Sequence, residues 1–196
     1  MKRTAWARAA SRNRPLVAPR RRIFLGCEGE SERGYGAFLS GMLQINGCHV
    51  HLDTVLLRPT GGDPLALVEL ARRRIIENER NRGRYAIRAV LLDADRLGQT
   101  PARDARIEPI VAAANLRLIW QRPCHEALLL RHLDGCRDRK PANAALAEQE
   151  LARHWPDYEK GMSATRLTVR LSVRELRQAL EVELDLATFL SDLGFR

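Results

Sequence analysis

Short apolar segments alternate with amphipathic ones from residue 22 onward, and this alternation limits the fold more than any other feature of the sequence. Compact apolar runs predict strands at 23–27, 48–57, 88–92 and 116–120. Helical spacing of apolar residues predicts helices at 32–45, 64–82, 102–114 and 125–133. Parallel strands need crossover helices, so this order predicts an α/β fold: a mostly parallel four-stranded sheet with helices on both faces.

The last sixty residues follow a different pattern, in which helices at 143–153 and 173–184 flank a polar link. We therefore expect three parts in the chain. Residues 1–21 form a basic flexible leader, residues 22–135 form the α/β core, and residues 136–196 form a helical C-terminal extension packed on that core.

The charge of the chain is unevenly distributed. The 196 residues carry a formal net charge of +9, which by itself suggests a polyanionic partner such as nucleic acid. Residues 1–22, however, hold eight of the 33 basic residues and no acidic one, which leaves 25 basic against 24 acidic residues over 23–196. The excess charge therefore belongs to the leader, and the rest of the chain is almost neutral.

Location and redox state follow from the apolar runs and the cysteines. No uncharged apolar run approaches the roughly 18 residues of a membrane helix, so we expect no membrane partner. The four cysteines form no CxxC pair and have no zinc spacing, which is typical of reduced thiols. We expect a cytoplasmic protein.

Acidic residues collect where three of the predicted strands end. Glu28 and Glu30 follow the first strand, Asp93 and Asp95 follow the third, and Glu126 follows the fourth. In an open parallel sheet, ligands bind at the carboxyl ends of the strands. Clustered carboxylates suit a hard divalent cation, which predicts a site for Mg²⁺, with Mn²⁺ as a possible substitute.

Ordinary structural roles compete with this interpretation. Acids after strands often cap helices, and Glu28 and Glu30 could be first-turn acids favoured by the helix dipole. Two histidine pairs, His49 with His51 and His125 with His132, could ligate metal, but surface and packing roles suit them better. Glu126 opens an otherwise apolar helix and is the hardest of the acids to explain by solvation.

Several motifs together resemble those of RloB-like proteins, a branch of the Toprim superfamily. The segment 27–32 (CEGESE) resembles the family's CEGE-x-E opening, and the strand 90–95 (VLLDAD) carries its DxD. The segment 122–132 (RPCHEALLLRH) resembles its NPCFE-x-W-x-L-x-H, and 158–160 (YEK) its Y-x-K. A Gly61-Gly62 turn also agrees, and the resemblance covers roughly residues 22–165.

This resemblance implies a Toprim-like, Rossmann-like fold with a Mg²⁺ site for phosphodiester chemistry. By it, Glu28, Asp93 and Asp95 hold the metal and Glu126 is a further acid near the site. RloB-like proteins are associated with antiviral defence and abortive infection, often beside an ABC-type or AAA ATPase. The implied role is a nuclease effector that a partner releases.

The resulting hypothesis is a Mg²⁺-dependent nuclease acting on DNA or RNA. Glu30 and Glu126 would be further ligands or a base for water, and Arg33, Lys140 or Lys160 would bind substrate and stabilise the developing phosphate charge. Two rivals stay open: a non-catalytic subunit that docks an ATPase, and another kind of phosphoryl transfer. The chain could also be a homo-oligomer. It has no P-loop, which argues against NTP hydrolysis.

Overall fold

The computed structural model describes residues 19–58 and 62–196. Almost all of the predicted leader lies outside the described residues, as does Gly61 of the predicted glycine turn. The strands are β1 (Arg21–Cys27), β2 (Val50–Leu56), β3 (Ile87–Asp93) and β4 (Arg117–Gln121). The helices in the described ranges are α1 (Glu30–Ile45), α2 (Pro64–Arg82), α3 (Pro101–Asp104), α4 (Ile107–Ala114), α5 (His125–His132), α6 (Ala144–His154), α7 (Ala164–Leu167), α8 (Val173–Leu180) and α9 (Leu184–Leu193).

The four strands form one parallel sheet in the order β2-β1-β3-β4. This confirms the predicted α/β class and the parallel four-stranded sheet. In the register of the sheet, Cys27 at the end of β1 lies beside Leu56 of β2 and Leu91 of β3, and Asp93 lies beside Gln121 of β4. The carboxyl ends of all four strands therefore meet at one edge.

Alternating side chains of the central strands enter two separate apolar cores. Leu25 and Leu91 face a core built with α1, α5, α6, α8 and α9. Phe24 and Val90, one position away, face a second core built with α2 and α4. Because successive side chains of a strand point to opposite faces, the continuous apolar runs of β1 and β3 require helices on both sides of the sheet.

Local signals set the ends of α2. The Asp63 carboxylate accepts a hydrogen bond from the backbone N–H of Leu65 at 3.1 Å, and Pro64 occupies the first helical position. Gly83 ends the helix at a φ of 82°, a conformation that glycine adopts without steric cost.

Two predicted helices differ from those observed. The predicted helix at 102–114 is divided into α3 and α4, because the ring of Pro109 would meet the carbonyl of Ala105 in a continuous helix. Pro109 instead lies in the first turn of α4, where its missing N–H costs nothing. The predicted helix at 173–184 ends with α8 at Leu180, and α7 and α9 were not predicted.

The helices after residue 136 share the core of the sheet. Leu151 of α6, Leu176 of α8 and Phe189 of α9 are buried in the same cluster as Leu25 of β1. The chain between α6 and α7 also approaches α1 closely: a Cβ atom on Gly34 would lie 2.0 Å from the carbonyl oxygen of Met162. The contact between α1 and this segment therefore depends on a residue without a side chain.

Replacing Gly34 with alanine should destabilise the fold. Since the new methyl group meets backbone rather than a flexible side chain, we expect Gly34→Ala to lower the free energy of unfolding by about 1–3 kcal/mol. The matched control is Gly41→Ala in the same helix, where a Cβ meets nothing within 4 Å. Urea denaturation should show that the control raises stability by about 0.5–1 kcal/mol. Equal effects of the two substitutions would contradict the close approach.

Candidate active site

The pairing of β1 with β3 brings two of the predicted acids together. Glu28 follows the last residue of β1, and Asp93 is the last residue of the neighbouring β3. The Glu28 carboxylate accepts a hydrogen bond from the backbone N–H of Asp93. The acid that follows the first strand, Glu28, and the first aspartate of the DxD, Asp93, therefore lie at one site.

Asp93 is the centre of a carboxylate cluster. Burial raises its pKa to about 9, and the negative charges of Glu32, Glu28, Glu126 and Asp95 add to that shift in this order. Burial also raises the pKa of Glu28, and the negative charges of Glu32 and Asp95 raise it further. The positive charge of Arg96 lowers it. Of the five acids predicted for the site, four belong to this cluster.

One oxygen of the cluster has no partner. Asp93 Oδ1 is buried and accepts no hydrogen bond, although a buried polar atom without a partner normally costs about 1–3 kcal/mol. Gly62, at a φ of 75°, borders the cluster so closely that a Cβ there would lie 2.9 Å from Glu28 Oε1. A cation would satisfy the unpartnered oxygen and offset the repulsion between the carboxylates.

The donor chemistry fits a hard divalent ion, since the cluster offers only carboxylate oxygens. The residues that would hold such an ion are Glu28, Asp93 and Asp95. Among the described residues, no group of three or more His, Cys, Asp or Glu side chains lies in metal-holding geometry. The fit therefore rests on the buried, unpartnered oxygen and on the composition of the cluster.

Glu32 belongs to the cluster but was not assigned a role from the sequence. Its side chain is buried, and Oε2 accepts a hydrogen bond from the backbone N–H of Gly29 at 2.9 Å, which caps α1. Glu32 precedes Tyr35 by three residues and Leu39 by seven, so it continues the buried face of α1. This periodicity was the signal in the sequence that could have found it.

Glu30 and Arg33 lie apart from these contacts. Glu30 pairs with Arg33 at 2.7 Å and lies 4.0 Å from Arg58, and all three side chains are well exposed. Glu30 is not among the largest contributions to the raised pKa of Asp93. Their predicted roles, ligand or base for Glu30 and substrate binding for Arg33, stay predictions.

Glu126 and Lys160 meet at the start of α5. Glu126 is buried, and its Oε1 lies 3.7 Å from Lys160 Nζ and accepts a hydrogen bond from the Tyr158 hydroxyl at 3.5 Å. Lys160 also pairs with Glu148 at 2.6 Å. Of the two lysines predicted to bind substrate, Lys160 thus contacts the cluster. Lys140 instead lines a cavity together with Pro123.

The buried histidines serve packing. His132 donates from Nδ1 to the carbonyl of Leu128 at 2.9 Å and accepts at Nε2 from the Tyr35 hydroxyl at 3.0 Å. Burial lowers its pKa to about 4, so the ring is neutral. His125 is also buried, and its Nδ1 lies 2.8 Å from the side-chain amide of Gln121. Both rings support α5 behind the carboxylates.

Comparison with known proteins finds no match among family models, curated proteins or solved structures. The RloB-like and Toprim resemblance therefore stays a prediction from the motifs. Within the described ranges, no helix has both the length and the apolar character required to cross a membrane.

The pKa of Asp93 gives a pH dependence of stability without divalent cations. Its folded pKa of about 9 lies above the unfolded value of about 3.9, so the folded chain keeps a proton that the unfolded chain releases. Stability should therefore fall as pH rises from about 4 to about 9. We expect Asp93→Asn to weaken this dependence and to raise the free energy of unfolding at pH 8 by on the order of 1–3 kcal/mol.

Urea denaturation in EDTA at pH 5 and pH 8 measures this effect. The control is Glu108→Gln, which neutralises an exposed acid of α4 and should leave the pH dependence unchanged. A lower stability of Asp93→Asn than of the unsubstituted chain at pH 8 would show that Asp93 is not held in a repulsive cluster.

Proposed function

We propose that this protein is a divalent-cation-dependent nuclease that hydrolyses phosphodiester bonds of DNA or RNA. The observation that carries the proposal is Asp93, buried among four other carboxylates with one oxygen unpartnered. The DxD and the CEGESE segment, with their resemblance to RloB-like proteins, support phosphodiester chemistry. Glu28, Asp93 and Asp95 would hold Mg²⁺ or Mn²⁺.

The bound ion would polarise the phosphate and lower the pKa of a coordinated water. Glu126 is the base that accepts the proton of the attacking water, because it is buried at the cluster and its other contacts are with Tyr158 and Lys160. The ammonium group of Lys160, 3.7 Å from Glu126, faces the negative charge that develops on the phosphate. Glu32 holds the start of α1 and adds negative charge beside Asp93.

The same resemblance supports a biological setting. In this proposal the nuclease is an effector of antiviral defence and abortive infection, located in the cytoplasm and controlled by an ABC-type or AAA ATPase. A Toprim-like subunit that docks such an ATPase without cleaving nucleic acid is the outcome to be distinguished by experiment.

Cleavage of labelled DNA and RNA tests the catalytic proposal. We expect activity with Mg²⁺ or Mn²⁺, loss in EDTA, and a decrease of about 100-fold or more in Asp93→Asn and Asp95→Asn, because each change removes an anionic oxygen ligand. Thermal denaturation with and without Mn²⁺ gives a second readout: the ion should raise the Tm of the unsubstituted chain and not that of Asp93→Asn.

The control for both measurements is Glu108→Gln, which should behave as the unsubstituted chain. Stabilisation by Mn²⁺ without cleavage of any substrate would favour the non-catalytic subunit. Undiminished cleavage in both aspartate variants would remove the metal site from the mechanism.

A further inference from the structure

A cavity borders the chain segment that leads from β4 into α5, the helix that carries Glu126. It has a volume of about 490 Å³, within the range of small-ligand sites. Its walls come from the segment after β4, the turn after α5 and the segment between α8 and α9. The lining residues are Arg122, Pro123, Arg131, Arg137, Asp138, Arg139, Lys140, Pro141, Val182, Glu183, Leu184 and Asp185.

Arg131 forms the floor of this cavity and is fully engaged there. It forms a buried ion pair with Glu183. Its Nε donates to the carbonyl of Arg139 at 3.0 Å, and its Nη2 donates to the carbonyl of Arg122 at 2.6 Å. These contacts hold three chain segments together, so Arg131 shapes the cavity and has little capacity left for a ligand.

The other acids of the lining are neutralised as well. Asp185 pairs with Arg122 at 3.3 Å, and Asp138 pairs with Arg137 at 3.2 Å. Each of the three acids thus has an arginine partner, and Arg137 also pairs with Glu181 at 2.5 Å. The two remaining cations of the lining are Arg139 and Lys140, which are exposed. The lining therefore has two more basic than acidic residues, and Glu181, which shares Arg137, offsets part of this excess.

Apolar side chains form the remaining wall. Pro123, Pro141, Val182 and Leu184 line the cavity, and Leu184 is 70% exposed although it is a large apolar residue. This apolar surface lies next to two adjacent cations, Arg139 and Lys140. The combination matches a nucleotide, which has a flat base and an anionic phosphate.

The cavity and the carboxylate cluster share one chain segment. The backbone N–H of Ala94, between the two aspartates of the DxD, donates to the carbonyls of Gln121 and Pro123, both at 3.0 Å. Pro123 lines the cavity, and Glu126, three residues later, belongs to the cluster. The chain from Pro123 to Glu126 spans at most about 11 Å. This length corresponds to a few nucleotides along a nucleic-acid strand.

We propose that this cavity binds one nucleotide of a single-stranded nucleic acid, a few units from the bond to be cleaved. The phosphate lies against Arg139 and Lys140, and the base lies against Leu184 and Val182. A base within a duplex is stacked and cannot reach such a wall, which is why the ligand is single-stranded. This inference rests on the proposed nuclease function and names the strand that the enzyme holds.

Fluorescence anisotropy with a labelled single-stranded oligonucleotide in EDTA tests the inference without catalysis. We expect Arg139→Gln/Lys140→Gln to weaken binding about tenfold and to reduce the slope of log K against log salt by about 0.7, because the contact with one phosphate is lost. Leu184→Ala should weaken binding about threefold without changing that slope, because it removes apolar contact only.

The matched control is Arg73→Gln/Arg80→Gln, which removes the same charge from exposed positions that line a different cavity on α2. It should change affinity less than about twofold. Equal losses in the two double variants, unchanged binding in Arg139→Gln/Lys140→Gln, or no binding by the unsubstituted chain would each overturn the inference.

The two proposals fail separately. If Asp93→Asn abolishes cleavage while Arg139→Gln/Lys140→Gln binds normally, the nuclease function stands and the cavity has no part in binding. If the cavity variants lose binding but the unsubstituted chain cleaves nothing with Mg²⁺ or Mn²⁺, the cavity stands and the nuclease function does not.

Discussion

The parallel pairing of β1 with β3 is the constraint on which the site depends. It places Glu28 beside Asp93 at the carboxyl edge of the sheet, where Asp93 is buried among like charges. The helices that follow β1 and β4 begin at the same edge, so their first turns add Glu32 and Glu126. The positive ends of those helix dipoles face the carboxylates and offset part of the repulsion. A divalent cation would neutralise the negative charge of the carboxylates that the helix dipoles do not offset.

The parallel sheet could be predicted because its signals are local. Continuous apolar runs such as 23–27 indicate strands buried on both faces, and the intervening helical periodicity requires crossovers. The misjudged helices depended on information of another kind. Pro109 divides one predicted helix by a steric effect on Ala105, and α9 depends on the burial of Phe189 against residues distant in the chain. A local sequence pattern carries no information about such long-range contacts.

The site was predictable in part for a related reason. The predicted strand ends bring Glu28, Asp93, Asp95 and Glu126 to one edge by topology alone, and in the structure the charges of the other three act on Asp93. To decide which of the two acids in the first turn of α1 belongs to the cluster, the geometry of the helix is needed as well. Residues two apart on a helix differ in direction by roughly 200°, so Glu30 and Glu32 cannot both face the sheet. Glu32 shares the buried face of Tyr35, whereas Glu30 forms an exposed pair with Arg33.

A buried acidic site and an anionic substrate repel each other unless positive charge is supplied. Little is available from the described fold, where the arginines near the site are committed to acids, as Arg131 is to Glu183. A divalent ion at Asp93 would reverse the local charge, and Lys160 lies beside Glu126, although it is shared with Glu148. Arg139 and Lys140 line a cavity with Pro123, three residues before Glu126, and would supply further positive charge there. In the proposed nuclease, the approach of the substrate would therefore depend on where the cations near the site lie rather than on the net charge of the chain.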